Sequence, residues 1–323
     1  MKKSDIVERW AIRQPMIAKS GLWLWARGHA LATGGGELPD HWFFSHLVNA
    51  LGYRVPVMTK LRNGMKIRVA SNDYVGGMIL RRGYYEPETV ALIQKLLPPG
   101  AVFLDVGAHV GQYTLVASQQ VGAAGQVHSF EPDPETFRWL AGNVRLNRLR
   151  NVRVNQAALS DESGKKRFYF ATPRDIGSNS LSRPLNDSGR SCDVVCTTMD
   201  EYVAANGIER VDLIKVDIEG AEYAMLVGAQ HLLSRPNKPV IIAEFEEERQ
   251  RSFGNSCAKL AGLLTNHGYH LFRLGSERLE TYTPQEDDPP SFNVLAVPFE
   301  KAALLADVQP LAWREDAPLA MER

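Results

Sequence analysis

Cysteine is scarce in this chain. Three residues, Cys192, Cys196 and Cys257, are spread over 323 positions, an odd number with no metal-ligand spacing, so neither a disulfide framework nor a structural zinc site is expected. Cys192 and Cys196 are best placed on one face of a strand, and all three should be reduced thiols. Net charge is absent as well. Lysine plus arginine and aspartate plus glutamate both total 37, which leaves no field to draw in nucleic acid or an anionic membrane surface. No run of about 18 uncharged apolar residues is present to span a membrane, and no short apolar leader with a small-residue cleavage site opens the chain. These absences point to a soluble, unprocessed, cytoplasmic protein. No internal repeat or low-complexity tract is visible either.

What the chain does have is 44% hydrophobic residues, enough for one large core or two modest ones. Four of its six tryptophans, Trp10, Trp23, Trp25 and Trp42, fall with Phe43 and Phe44 inside residues 1–50. This stretch is expected to be a helical appendage that buries its aromatics against its own core or a second copy of the chain. Residues 51–100 are expected to hold a β-hairpin and a helix. Arg54–Lys60 and Met65–Val69 flank Asn63-Gly64, a strong hairpin signal, and a helix is predicted from Pro87 to Leu97.

From 101 to 300 the pattern alternates. Strands are predicted at 102–106, 126–131, 152–156, 211–216 and 240–244, with helices at 112–121, 134–147 and 257–266. Right-handed crossovers make such alternation a parallel sheet with helices on both faces. A polar insertion at 165–190 carries a strand near Arg167–Phe170. Two successive strands, 269–273 and 292–297, suggest an antiparallel closing pair. The whole reads as an α/β, Rossmann-like sheet, mostly parallel and seven-stranded, followed by a 301–323 tail with no assigned role.

The first parallel strand breaks into Asp105-Val-Gly107-Ala108-His109-Val-Gly111. Gly107 and Gly111 suit a backbone that turns tightly and lets a ligand approach. The dinucleotide fingerprint is GxGxxG, which seats a pyrophosphate on a helix N-terminus; here the spacing is DxGxxxG, with an acid where a phosphate site would avoid one. That favours a ligand with no phosphate and a positive centre, for which S-adenosylmethionine (SAM) is the candidate. Glu131-Pro132 ends the second strand at the spacing of an acid that accepts hydrogen bonds from ribose hydroxyls.

Ligands in an open α/β sheet bind outside the carboxyl ends of the strands, so Asp105, Glu131, Asp217 and Glu244 should converge on one crevice. Such carboxylates repel one another unless a cation or hydrogen-bond donors relieve them. Strand period puts Lys215 and Asp217 on one face. Methyl transfer from a sulfonium is largely a matter of positioning, with a general base for a poorly acidic hydroxyl; Asp217, Glu244 and His109 are candidates. Glu219 and Glu222 are expected either in the first turn of a helix, offsetting its dipole, or equally in contact with the ligand. Glu246–Glu248 is expected to be a solvated loop.

Five segments together resemble the FkbM family of SAM-dependent methyltransferases. They are Tyr85-Glu-Pro-Glu88, Val106–Gly111, Phe130-Glu-Pro132, Asn155–Asp161 and Ile214–Glu222, and the resemblance spans residues 80 to 300. It implies that Glu86, Asp105, Gly107, His109, Tyr113, Glu131 and Gln156, Ala157 and Ala158 line the cofactor, with Asp217 near the reactive methyl. It also implies O-methylation of a hydroxyl on a sugar, glycan or polyketide-like metabolite. His109 departs from the family, which more often has a small polar residue there. Substrate choice is expected to lie in residues 1–50 and 165–190.

Two other classes compete. A nicotinamide-dependent oxidoreductase is disfavoured by the missing third glycine and by Asp105. A non-catalytic SAM-binding partner subunit is disfavoured by the intact Asp217 and Glu244. No metal ligand set is complete in the sequence, although carboxylates at two strand ends would suit Mg²⁺ against two acceptor oxygens.

Overall fold

The computed structural model describes residues 56–308 apart from 71–72, 173–175, 185, 276–277 and 286. The aromatic stretch 1–50 and residues 309–323 of the tail therefore lie outside the described residues. The chain opens with a hairpin of β1 (Pro56–Lys60) and β2 (Lys66–Ala70), antiparallel with Lys60 opposite Lys66. Gly64 supplies the positive φ of 84° that the connection requires. Helices α1 (Tyr74–Arg82) and α2 (Pro87–Leu96) follow. Asp73 caps α1, its Oδ2 accepting the Gly76 N–H at 3.0 Å.

The alternating region then gives β3 (Val102–Val106), α3 (Gln112–Val121), β4 (Gln126–Phe130), α4 (Pro134–Leu146) and β5 (Val152–Asn155). The insertion forms β6 (Ala158–Leu159), β7 (Gly164–Ala171) and β8 (Asp187–Thr197). After α5 (Met199–Ala205) come β9 (Leu213–Val216), α6 (Glu222–Val227), α7 (Gln230–Leu233), β10 (Val240–Glu246), α8 (Glu247–Ser252) and α9 (Cys257–Asn266). The chain ends in β11 (Tyr269–Leu274), β12 (Leu279–Thr281), β13 (Ser291–Pro298) and α10 (Leu304–Val308).

The main sheet runs β12-β11-β13-β10-β9-β3-β4-β5. Strands β5, β4, β3, β9 and β10 are parallel, and β13 joins them antiparallel, with Ile242 opposite Leu295. The seven expected strands are there, and β12 adds a short eighth at the edge, beyond the reach of pattern because it is three residues long.

Consecutive residues of the central strands feed opposite cores. Phe103, Leu213 and Ile242 pack with Leu92, Ile93 and Leu115 on one face. Leu104, Ile214 and Ile241 pack with Met225 and Leu260 on the other. Burial on both faces is why these strands read as unbroken apolar runs. The insertion is no bare loop: β7 and β8 pair from Gly164 to Ala171, β6 adds alongside, and Phe168, Val194 and Cys196 form a small core there. Cys192 packs against that cluster as the shared strand face predicted, and all three cysteines are free thiols. No described helix is long and apolar enough to cross a membrane.

Candidate functional site

The turn after β3 is fixed by bonds to β4. The Gly107 and Ala108 N–H groups both donate to the Phe130 carbonyl, at 3.1 and 2.9 Å, and the His109 N–H donates to Glu131 Oε2 at 3.0 Å. Gly107 has φ 83°, and a Cβ there would stand 1.8 Å from the Asp217 carbonyl oxygen. At Gly111, φ is 93° and a Cβ would meet Leu140 Cδ1 at 2.6 Å. His109 is forced to φ 49° without being glycine, a costly conformation for an L side chain that clusters at functional sites.

One cleft lies at the carboxyl ends of the strands. Its wall includes Gly107, Ala108, His109, Tyr113, Glu131, Pro132, Ala157, Ala158, Asp217 and Glu244. These expected residues are brought together. Asp105, Gly111, Gln156, Lys215 and Glu86 are not part of that wall: Asp105, Gly111 and Lys215 are buried, Glu86 is half-buried and Gln156 is exposed. Asp105 is fully buried in β3, where Oδ2 accepts the Thr114 hydroxyl at 2.5 Å. A carboxylate inside a strand that is covered on both faces turns toward the core, so its acidity is spent on packing around α3. Burial pushes its carboxyl up to about 6 despite the Thr114 hydroxyl bond. Lys215 is also buried, at 1% exposure. Glu86 serves as an anchor: its Oε2 accepts from Tyr113 Oη at 2.8 Å, Thr89 Oγ1 at 3.1 Å and Asn293 Nδ2 at 2.9 Å.

Glu131 is oriented before any ligand arrives. Oε2 accepts the His109 N–H, Oε1 accepts the Asp133 N–H at 2.9 Å, and further lone pairs remain for hydroxyl donors. Burial first, and Asp133 next, raise its carboxyl to about 8.

The acidic end of the cleft is built by the loop after β9. The Asp217 N–H donates to the Val106 carbonyl at 3.0 Å, docking this loop on the glycine turn. Lys215 Nζ lies 3.3 Å from Asp217 Oδ2 and donates to Asn293 Oδ1 at 3.1 Å. Burial works to lower the Lys215 ammonium, but Asp217, Glu86 and Glu244 outweigh it and hold it above its ordinary value. Burial also opposes ionisation of Asp217, and Lys215 reverses it, so the Asp217 carboxyl sits below its usual range. Glu244 goes the other way: burial, then the Asp217 charge, push it well up. Within this pair the surroundings favour the ionised form of Asp217 and disfavour that of Glu244.

Glu219 does not sit in the first turn of a helix. It precedes α6 at φ 59°, with Arg249 Nε at 3.1 Å from its Oε2. Glu222 does open α6; its Oε1 accepts the Ile218 and Gly220 N–H groups, so it ties the loop rather than only offsetting a dipole. Glu246–Glu248 is likewise no solvated loop. Glu246 ends β10, Glu247 starts α8, and Glu246 pairs with Arg249 at 3.3 Å. Oxygens of Asp217, Glu219 and Glu244 lie within 4.8 Å of one another, a spacing that suits a divalent cation, although Lys215 and Arg249 already neutralise two of them.

Several wall residues carry no motif. Tyr74, Tyr85, Phe168, Asn179 and Leu181 complete the cleft. Tyr85 is clamped by Gln112, whose amide accepts the Tyr85 N–H at 2.7 Å and donates to its carbonyl at 2.8 Å. Tyr85 had a signal in its place beside Glu86 in a recognised segment, and Phe168, Asn179 and Leu181 only in their membership of the 165–190 insertion.

The cleft fits SAM. Buried Ala108, Phe130 and Ala158 offer apolar walls, Glu131 presents oriented acceptors, and the acidic end suits a cationic sulfur. Residues 105–271 match the methyltransferase FkbM domain. The chain is 27% identical over 200 residues to the 31-O-demethyl-FK506 methyltransferase FkbM of Streptomyces tacrolimicus, covering 54% of this chain and 74% of that one. To the 2-O-methyltransferase NoeI of Sinorhizobium fredii it is 26% identical over 162 residues, 46% of this chain and 64% of that relative. Among solved structures, a methyltransferase FkbM from Methylobacillus flagellatus aligns over 78% of this chain and 65% of its own, with TM-score 0.40 and 15% identity. With the domain match spanning more than half of its length, from Asp105 in the glycine turn to Leu271 in β11, the chain belongs to the FkbM family of SAM-dependent methyltransferases.

Proposed function

We propose that the protein methylates a hydroxyl group of a sugar, glycan or polyketide-like metabolite, with Asp217 receiving the hydroxyl proton. Bound SAM supplies an electrophilic methyl on sulfur. Ala108, Pro132 and Glu131 would hold its nucleoside end, which would leave the Asp217 end of the cleft for the sulfonium. The observation that carries this reading is the geometry of the acidic end: Asp217 and Glu244 both line the cleft, and the buried Lys215 ammonium stands 3.3 Å from Asp217 Oδ2, where it favours the ionised carboxylate. An ionised, oriented carboxylate is what a poorly acidic hydroxyl needs as a base. Phe168, Asn179 and Leu181 bring the insertion to the cleft and form the acceptor wall. The names of the two relatives, one acting on a 31-O position and the other a 2-O-methyltransferase, support a hydroxyl acceptor. Free cysteines fit a cytoplasmic setting, and residues 1–50 are assigned to self-association, which light scattering of the chain with and without them would test.

Calorimetric titration with SAM, S-adenosylhomocysteine and NAD should show binding of the two adenosyl ligands alone. Release of S-adenosylhomocysteine should then be followed over hydroxylated acceptors. Asp217→Asn should lower turnover by about 10²- to 10⁴-fold, with the SAM Kd changed only a few-fold. Full turnover in that variant would remove Asp217 from the base role, and binding of NAD in preference to SAM would overturn the cofactor reading.

A further inference from the structure

The last strand of the sheet sends one polar side chain back into the site. Asn293, on β13, stands opposite Glu244 in the β10–β13 register. Its Oδ1 accepts from Lys215 Nζ at 3.1 Å and its Nδ2 donates to Glu86 Oε2 at 2.9 Å. The amide orientation follows from its partners, since an ammonium only donates and a carboxylate accepts. Each partner is tied to the cleft. Lys215 holds Asp217, and its Nζ lies 5.8 Å from the centre of the Tyr113 ring. Glu86 holds the Tyr113 hydroxyl and follows Tyr85 directly, and both tyrosines line the cleft. Glu86 itself adopts φ 44°, a left-handed conformation that needs outside support.

We propose that Asn293 is a positioning residue for the SAM site, bridging Lys215 and Glu86 so that the Asp217 floor and the Tyr85–Tyr113 wall are held in one register. The inference rests on the SAM-binding reading. A neutral amide suits the task because it meets a cation with its oxygen and an anion with its nitrogen, whereas a carboxylate would place two like charges together. Lys215, Glu86, Asp217, Glu244, Asp105, Tyr85 and Tyr113 are the titratable groups around this bridge.

The test is SAM titration of the full chain, with thermal unfolding followed in parallel. Asn293→Asp keeps the bond to Lys215 and sets a second carboxylate against Glu86, so its SAM Kd should rise about tenfold. Asn293→Leu loses both bonds and should also weaken binding. The double variant E86Q/N293D should regain binding because the repulsion is gone. No rescue of N293D by Glu86→Gln would make Asn293 a packing residue only. If N293D fails to fold, the same comparison is read from thermal midpoints, with rescue by E86Q supporting the bridge and no rescue overturning it. Absence of SAM binding in the unmodified chain would overturn the methyltransferase reading and this inference with it. Normal binding in all variants would overturn only the inference.

Discussion

Gly107 shows how much one position can decide. Its φ of 83° and the Asp217 carbonyl 1.8 Å from where a Cβ would sit leave room for hydrogen alone. Gly107→Ala should destabilise the chain by about 3 kcal/mol, from left-handed strain plus overpacking, and should separate the two loops that frame the cleft. Urea unfolding measures the first effect and SAM titration the second. A loss below about 0.5 kcal/mol would mean that the loops move apart freely. Residues of this kind were legible in the sequence because the motif states a backbone need. Glu131 and Asp217 were legible for a related reason, since strand ends in a parallel sheet converge. Asp105 was misread: an acid in the motif suggested a ligand contact, but its strand is covered on both faces and its carboxyl turns to Thr114. Asn293 and Gln112 were illegible, because a single amide carries no periodicity and its partners lie 78 and 27 residues away.

At the level of elements, predicted boundaries of the parallel strands and their helices agree with the structure within a few residues, since apolar runs and breakers mark them. The hairpin is placed by less visible means. Asn143 on α4 and Asn147, which caps that helix one turn later, act as backbone mimics. Asn143 accepts the Arg68 N–H at 2.8 Å and donates to the Arg68 and Val110 carbonyls at 2.9 and 2.8 Å. Asn147 accepts the Lys66 N–H at 2.9 Å and donates to the Lys66 carbonyl at 2.6 Å. The buried Asn143 thereby joins β2, α4 and the glycine turn. Asn143→Ala removes three bonds and should cost about 3 kcal/mol. It should also speed amide exchange across residues 66–70, while exchange in the central strands stays slow. Unchanged exchange in the hairpin would show that apolar packing alone holds it.

For the whole molecule, the buried carboxyls set how stability responds to pH. Burial first raises Glu222 to about 7 and Glu131 to about 8, both from 4.5. The native state therefore binds more protons than the unfolded chain between those limits, and stability falls as pH rises through about 7 to 8. His128, lowered by burial to about 4 from 6.5, opposes this trend only below 6.5. The thermal midpoint of the ligand-free protein should thus drop from about pH 6.5 to 8 and level off above that, and Glu131→Gln should flatten the slope. A midpoint that climbs over that range would show these carboxylates to be ionised at little cost. Fold class was readable at this scale from alternation alone, whereas the approach of the insertion to the cleft and the ties from the hairpin and the last strand to the elements that frame it were not, because long-range polar contacts leave no local pattern. The amides of Asn143 and Asn147 have one more effect. A strand with open backbone groups along its margin invites pairing with another molecule, and natural sheets blunt such margins. Along Lys66 and Arg68 those groups are already taken by a helix of the same chain, so an approaching strand finds nothing to bond with there, and this stretch of the hairpin is closed to the association that seeds aggregates.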